Sequence, residues 1–413
     1  MKKWKLIVVG AGPAGFFCAV NAARMNSFLD VIIVEKSGEP LSKLRVSGGG
    51  RCNLTNGAFD ISEMADRYPR GKNFVRKAFH RFFRTDLVRW FQERGVRIKQ
   101  ERDGRMFPST DSSQTIVDCL QLEAELYRVE VVTHTEVNRL LETRGLWQVQ
   151  CGSRRIEADF VCIACGGYPR AGMFSWLQEM GHTIESPVPS LFTFNMPGSG
   201  TASLKGIAVQ DASVKVIGTR LQERGPLLFT HWGMSGPAIL NLSAWGAREL
   251  AAMQYDFGVR VNWIPGLHED ELRTLLQSRR FEAAGRKLRN GNPFALPQRF
   301  WEYVLQQSGI NPEHRWSELQ GRQLSRLIRS LSGQQFAVRG KTTFKEEFVT
   351  AGGIRVNEVD VNTMMSRKRE NLFFAGEILD VDGLTGGFNL QHAWTSGFIA
   401  ASAVSARAKA GSL

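Results

Sequence analysis

Val8-Val9-Gly10-Ala11-Gly12-Pro13-Ala14-Gly15 decides the fold of this chain. Residues 5–9 predict a short apolar strand, 10–15 a tight turn and 16–25 a helix, and the next apolar strand, 31–34, ends at Glu35. That strand-turn-helix-strand order is the setting in which a GxGxxG sequence binds a dinucleotide. Gly10 permits the turn, Gly12 lets the backbone approach a pyrophosphate, and Gly15 lets the helix pack closely on the strand. The helix start, with Ala14 in its first turn, presents free N–H groups and partial positive charge to phosphates. Glu35, with Lys36 beside it, is placed to accept hydrogen bonds from ribose hydroxyls.

A second glycine-rich signature stands near the other end: Asn371-Leu372-Phe373-Phe374-Ala375-Gly376-Glu377, followed by Gly386-Gly387-Phe388-Asn389. Residues 372–375 read as a core strand and 389–401 as a helix. In a flavoprotein built this way, Glu377 hydrogen-bonds the ribityl chain. Backbone N–H groups from Gly386, Gly387, Phe388 and Asn389 meet the flavin edge, where negative charge accumulates on reduction. An ordinary β-loop-α turn is the bland alternative. One cofactor, FAD, held by both ends makes everything between them insertion. The fold class is therefore α/β: a discontinuous FAD-binding core over 1–189 and 341–413, a β-rich insert over 190–267, and a helical insert with return segment over 268–340. A strand at 160–164 running into Cys165-Gly166-Gly167 supplies another close approach to the cofactor at Gly166.

Length and composition agree. A chain of 413 residues with 43% hydrophobic content has room for two or three domains. No apolar run is long enough to cross a membrane, and the start resembles no cleavable signal. The cysteines at 18, 52, 119, 151, 162 and 165 form neither a disulfide framework nor a zinc pattern, so a reducing cytoplasm is the expected compartment and no metal is expected. Cys162 and Cys165 spell CxxC, but strand alternation sends residues three apart to opposite faces, which favours packing over a redox pair. The net charge is +13, and residues 67–105 hold 13 Lys and Arg against 4 Asp and Glu, an excess of +9. This is either the solvated face of helices whose apolar side carries Phe74, Ala78, Phe82, Leu87 and Phe91, or a surface for a polyanion. A second basic face, with Arg322, Arg326 and Arg329, lies in the helical insert.

Ser47-Gly48-Gly49-Gly50-Arg51-Cys52-Asn53-Leu54-Thr55-Asn56 narrows the reading. It resembles the bacterial NAD(P)/FAD-dependent flavoproteins whose members include an aminoacetone oxidase, a bile-acid ene reductase and a ribosomal RNA dihydrouridine synthase. The resemblance continues through Gly104-Arg105-Met106-Phe107-Pro108, Thr230-His231-Trp232-Gly233-Met234-Ser235-Gly236-Pro237, Thr350-Ala351-Gly352-Gly353 and the 374–391 block. It implies a Rossmann-like FAD core interrupted by a barrel-like insert and a small helical domain. It also implies that Arg51 and Asn53 contact FAD and that Cys52 lies near the isoalloxazine. The chain departs from the family at 168–181, a shorter stretch than usual before Gly181-His182, which puts substrate contacts from that loop in doubt.

Three residues are candidates for chemistry. The Cys52 thiol either donates a proton to a carbon while flavin delivers hydride to its neighbour, or merely packs on the ring. His231 carries an imidazole, which suits proton transfer near neutrality, or else bonds a turn. Arg105 binds an anionic substrate or pairs with a carboxylate. No second GxGxxG unit exists, so NAD(P)H as a transient donor follows from the resemblance alone. The leading function is reduction of an activated C=C bond, with ribosomal RNA uridine as substrate, bound through residues 67–105. The alternatives are an oxidase or reductase of a small amine or enone, and a non-enzymatic RNA-binding flavoprotein. No membrane partner is expected, and the oligomeric state is open.

Overall fold

In the computed structural model, which describes residues 3–342 and 349–411, the chain divides into two compact units: Met1–Ser190 with Lys345–Leu413, and Leu191–Phe344.

The first unit is built on a five-stranded sheet in the order Leu372–Phe374, Phe160–Ile163, Trp4–Val9, Leu29–Val34, Glu130–Val132, with every pairing parallel. The strands are short apolar runs because both faces of a parallel sheet are covered. Leu6, Ile7 and Val8 are wholly buried, as are Val161, Cys162 and Ile163. The Pro13–Met25 helix starts on a proline, which fits a first turn whose N–H would be unpaired anyway. It packs tightly on the Phe388–Ala410 helix: a Cβ at Gly397 would stand 2.6 Å from the Ala14 carbonyl oxygen. Between them Phe17 meets Trp90, Trp394 and Phe82 at ring-centroid distances of 4.8, 5.3 and 5.5 Å. Burying one such ring is worth roughly 1.5–3 kcal/mol.

The Arg-rich stretch forms helices Lys72–Phe79 and Arg84–Gln92. Phe74, Ala78, Phe82, Leu87 and Phe91 are all buried, so its apolar residues anchor it while Arg76, Lys77, Arg81 and Arg89 face solvent. Cys162 faces Cys18 whereas Cys165 bonds Tyr168, and all six cysteines are free.

The second unit holds a seven-stranded sheet in the order Gln334–Arg339, Asp256–Asn262, Ala208–Val216, Gln222–Phe229, Gly233–Ser235, Thr193–Asn195, Lys341–Thr342. Its two edge strands are consecutive in the chain, separated by Gly340 alone. Gly340 donates to the Tyr255 carbonyl at 2.8 Å and accepts from the Asn195 N–H at 3.1 Å, drawing the edges together into a barrel-like curl. A positive φ of 90° at Gly340 makes that corner possible.

Helices Glu269–Glu282, Gln298–Gln307 and Gly321–Gly333 share a core with this sheet. Trp263 and Phe300 pack at 4.6 Å, and Leu324, Leu327, Ile328 and Leu331 join them. The helical stretch beginning at 268 is thus one body with the strands before it. Lys341–Thr342 still pairs with Thr193–Asn195, which moves the return to the first unit beyond the expected position 341.

Candidate active site

Strand register creates the site. Val9 stands opposite Val34 on one side and Ile163 on the other, and Ile163 stands opposite Phe374. The residues that follow, Gly10, Glu35, Ala164 and Ala375, therefore leave the sheet side by side at its carboxyl edge. This is where ligands bind in open parallel sheets.

Each glycine of the first turn has a distinct constraint. A Cβ at Gly10 (φ +107°) would lie 2.6 Å from the Ala164 carbonyl oxygen, and one at Gly15 would lie 2.0 Å from that of Gly10. Gly12 differs: a Cβ there meets nothing within 4 Å. Gly10 and Gly15 serve the protein's own packing, while Gly12 keeps the helix mouth open. No acidic residue occupies the first turn of the Pro13–Met25 helix, so nothing offsets its positive end, where Ala14 sits. Glu35 accepts the Ala11 N–H and the Ser37 N–H, both at 2.8 Å. A carboxylate has about four acceptor sites, so it retains capacity for hydroxyl donors. Lys36 beside it is exposed.

The Ser42–Gly50 helix breaks at Ser47, and Gly48, Gly49 and Gly50 follow with φ of 59°, 68° and 82°. Three consecutive left-handed residues require glycine. Gly48 also approaches the next strand, where a Cβ would be 2.9 Å from the Asn53 nitrogen. Cys52 itself adopts a φ of 61°. Its side chain is turned inward, fully buried, and bonded to Ser47; burial pushes the thiol up to about 12. Cys52 thus has no exposed surface, and its raised value keeps the thiol protonated near neutrality, which leaves both the packing and the proton-donating readings of this residue standing.

Arg51 and Arg105 belong to an ion-pair network. Arg51 lies over the Phe107 ring at 4.0 Å, 2.7 Å from Glu101 and 3.4 Å from Asp111. Arg105 bonds Asp103 at 2.7 Å and Glu101 at 3.1 Å. Arg105 is therefore paired with two carboxylates, and the Arg51 guanidinium, partly exposed, bonds Glu101 and Asp111. Asn53 acts as a clamp once its amide O and N are exchanged, the orientation that satisfies both groups: the oxygen then accepts the Gly387 N–H and the nitrogen donates to the Thr55 carbonyl, each at 3.0 Å.

That clamp positions the second glycine loop. Asn389 exchanges bonds with Gly383 at 2.8 and 3.0 Å, and the Tyr68 hydroxyl donates to the Phe388 carbonyl at 2.6 Å. Asp382, wholly buried, is bonded by Arg70 and by the Ser190 hydroxyl. Gly386 and Gly387 carry φ of 132° and 91°, and a Cβ at Gly387 would strike the Thr55 backbone at 2.8 Å. Gly387 N-caps the 23-residue Phe388–Ala410 helix, which also has no acid in its first turn. With the Gly387 N–H given to Asn53, the first-turn N–H groups of Phe388 and Asn389 are those left for an anionic ligand edge.

Sequence reasoning missed three residues here. Lys43 pairs with Glu377 at 3.2 Å, and the Thr350 N–H donates to the other Glu377 oxygen at 2.8 Å. The Thr350 hydroxyl is wholly buried without a partner, and a Cβ at Gly167 would touch it at 2.6 Å. Gly166, at φ +77°, lies by the same Lys43–Glu377 pair. Gly376, at φ +75°, comes so near the first helix that a Cβ would be 2.8 Å from the Ala14 side chain. His392 is also buried; its Nε2 faces the Gly376 carbonyl at 3.3 Å, its Nδ1 has no partner, and burial lowers it to about 4. Nothing in the sequence distinguished Lys43 from a surface residue, and the block that opens on Thr350 gave that residue no role, because the two meet Glu377 from 334 and 27 positions away respectively.

His231 belongs to the second unit. It is exposed on the turn between Gln222–Phe229 and Gly233–Ser235, its ring 3.7 Å from that of Trp232. Thr230 and Gly233 close that turn with bonds of 2.8 and 3.2 Å. A Cβ at Gly233 would lie 2.1 Å from the Phe194 carbonyl oxygen, so the turn is held against its neighbouring strand.

The residues at the carboxyl edge fit FAD: an open Gly12, two helix starts without acids, a carboxylate at the ribose position and an orphaned buried hydroxyl at Thr350. This sheet and this edge define a flavin-dependent oxidoreductase of Rossmann type. The chain belongs to the HI0933-like protein Rossmann domain family, which matches residues 4–403. It is 29% identical to the ribosomal RNA dihydrouridine synthase of Escherichia coli and 27% identical to the 3-dehydro-bile acid delta(4,6)-reductase of Clostridium scindens. Each comparison covers 97% of this chain and 98% of the relative. The fold also resembles the crystal structure of 3-ketosteroid delta1-dehydrogenase from Sterolibacterium denitrificans, with a TM-score of 0.54, 12% identity, and coverage of 98% of this chain and 100% of that one.

Proposed function

We propose that this protein is an FAD-dependent reductase that saturates the C5=C6 bond of uridine in ribosomal RNA, with NAD(P)H as electron donor. The observation that carries the RNA assignment is the exposed cationic face of the first unit. Among the described residues, no carboxylate lies within ion-pair distance of Arg76, Lys77, Arg89, Arg97 or Arg102. Unpaired cations on one segment match a phosphate backbone; a small neutral substrate has no use for them.

FAD, when bound, would supply a hydride for uracil C6, and C5 would need a proton. The protein's own work is positional and electrostatic. Gly12 and the Pro13–Met25 helix start hold the pyrophosphate, Glu35 the ribose hydroxyls, and Glu377, steadied by Lys43 and Thr350, the ribityl chain. The start of the Phe388–Ala410 helix stabilises negative charge on the cofactor's edge. Cys52, buried, and His231, exposed in the second unit, are the two candidates for that proton.

Similarity of equal extent to the bile-acid reductase supports a second reading, reduction of a small enone. Mass spectrometry of ribosomal RNA nucleosides from a deletion strain, its parent and complemented strains separates the two. Loss of one dihydrouridine, restored by wild type, supports the RNA reading. Unchanged RNA removes it and leaves the enone.

A further inference from the structure

The second unit carries a feature that flavin chemistry does not use. Phe281, in the last turn of the Glu269–Glu282 helix, is 81% exposed, against 37–64% for the other exposed large hydrophobic residues. At about 100° per residue it lies on the face opposite Leu272 and Leu276, the residues that bury this helix. The stretch of chain around it is basic. Residues 273–289 contain six Lys and Arg, with Glu282 the lone acid. Arg273 pairs with Glu269, and Lys287 and Arg289 share Glu313. Among the described residues, Arg279, Arg280 and Arg286 have no carboxylate within ion-pair distance.

The Gly321–Gly333 helix packs against this one and presents a stripe of its own. Arg322, Arg326 and Arg329 fall at i, i+4 and i+7, all exposed, opposite the buried Leu324, Leu327, Ile328 and Leu331. At about 1.5 Å rise per residue the stripe spans roughly 10 Å. Residues 319–333 include no Asp or Glu, and none of the three arginines has a carboxylate partner among the described residues. Such a stripe costs helix stability through like-charge repulsion at i, i+4. Solubility alone is served better by mixed charge.

We propose that this helix pair is a docking ridge for single-stranded RNA, in which the Arg322–Arg326–Arg329 stripe follows phosphates and Phe281 stacks on an unpaired base. The inference rests on the RNA reading above and adds a contact surface in the other unit. An exposed aromatic ring in a basic stretch of chain is the composition of a single-strand platform, since every base offers a π face and every nucleotide a charge. A protein–protein patch is built of contiguous exposed apolar side chains, whereas the stretch that carries Phe281 is rich in arginine.

The test measures fluorescence anisotropy of a labelled 20-nucleotide single-stranded RNA, and of an RNA duplex of equal length, with the full-length protein at 50 and 200 mM KCl. Arg322→Ala/Arg326→Ala/Arg329→Ala is expected to weaken single-strand binding at least tenfold. It should also flatten the log Kd against log salt slope by about 2, the release of three phosphate contacts at about 0.7 each. Phe281→Ala is expected to weaken single-strand binding at least fivefold, leave the duplex within twofold and keep the salt slope, with Phe281→Trp restoring affinity. An Arg154→Ala/Arg155→Ala control, exposed in the first unit, should change neither.

Thermal melts matching wild type exclude misfolding. Binding within twofold of wild type for both ridge variants overturns the ridge, as does a dimer that dissociates in Phe281→Ala. The dihydrouridine assay is read separately. Dihydrouridine lost on deletion with unaffected ridge variants leaves the RNA substrate standing without the ridge; ridge-dependent binding with unchanged dihydrouridine leaves the ridge without the substrate.

Discussion

The Thr55 hydroxyl donates to the Gln391 side-chain oxygen at 2.6 Å in the buried interior, joining the glycine-rich N-terminal loop to the first turn of the Phe388–Ala410 helix. Gln391 passes the chain on to Thr395 at 3.0 Å, and Thr395 to the Phe82 carbonyl at 2.9 Å. Two loops that must meet one cofactor are thereby fixed to each other before it binds. Gln391→Leu leaves the buried Thr55 hydroxyl unpaired and is expected to cost about 1–3 kcal/mol. Urea unfolding and the flavin-to-protein absorbance ratio check this; an unchanged midpoint with full flavin content would show that the bond is incidental.

Gly12→Ala and Gly15→Ala should part ways. At Gly12 the added methyl meets no protein atom, so the variant is expected to fold with a melting temperature near wild type while losing most of its flavin. At Gly15 the methyl would sit 2.0 Å from a backbone oxygen, so folding itself should suffer. Parallel melts and flavin retention decide, and equal behaviour of the two would sink the distinction.

Cys52→Ala removes a thiol with no exposed surface. Turnover is expected to stay within about fivefold of wild type, whereas loss of a general acid costs typically 10²–10⁴-fold. Stability should fall modestly, because a non-glycine residue at φ 61° is already strained and the sulfur fills core volume. A drop of two orders of magnitude in turnover, with normal flavin content, would restore the thiol to the mechanism.

His392 links stability to pH. Burial holds its folded value at about 4, below the unfolded 6.5, so the native state keeps the ring neutral while the unfolded chain takes a proton. Its contribution is complete above about pH 6.5 and is lost as pH falls toward 4, a change of about 2 kcal/mol by pH 5. His392→Gln should flatten the stability profile between pH 7 and 5, measured by urea unfolding at each pH. A slope equal to wild type would place the acid sensitivity elsewhere.

Much of the core was legible because its signals are local. Gly10, Gly12 and Gly15 sit within six residues, and their spacing alone sets a strand, a turn and a helix start. The apolar set Phe74, Ala78, Phe82, Leu87 and Phe91 declared its buried face through helical spacing. Side-chain direction was not legible. The resemblance placed Cys52 near the isoalloxazine, but only the structure shows its sulfur buried beside Ser47 at a φ of 61°. The ion pairs that Arg51 makes with Glu101 and Asp111, 50 and 60 positions away, were not legible either.

By itself the sequence determined that both ends of the chain build one dinucleotide-binding sheet, since turn chemistry and apolar periodicity act over a few residues. Only the tertiary structure decided which polar groups remain free at its edge. Lys43, Thr350 and Glu377 meet through packing of distant segments, and a side chain's availability depends on which neighbours that packing brings within hydrogen-bonding reach.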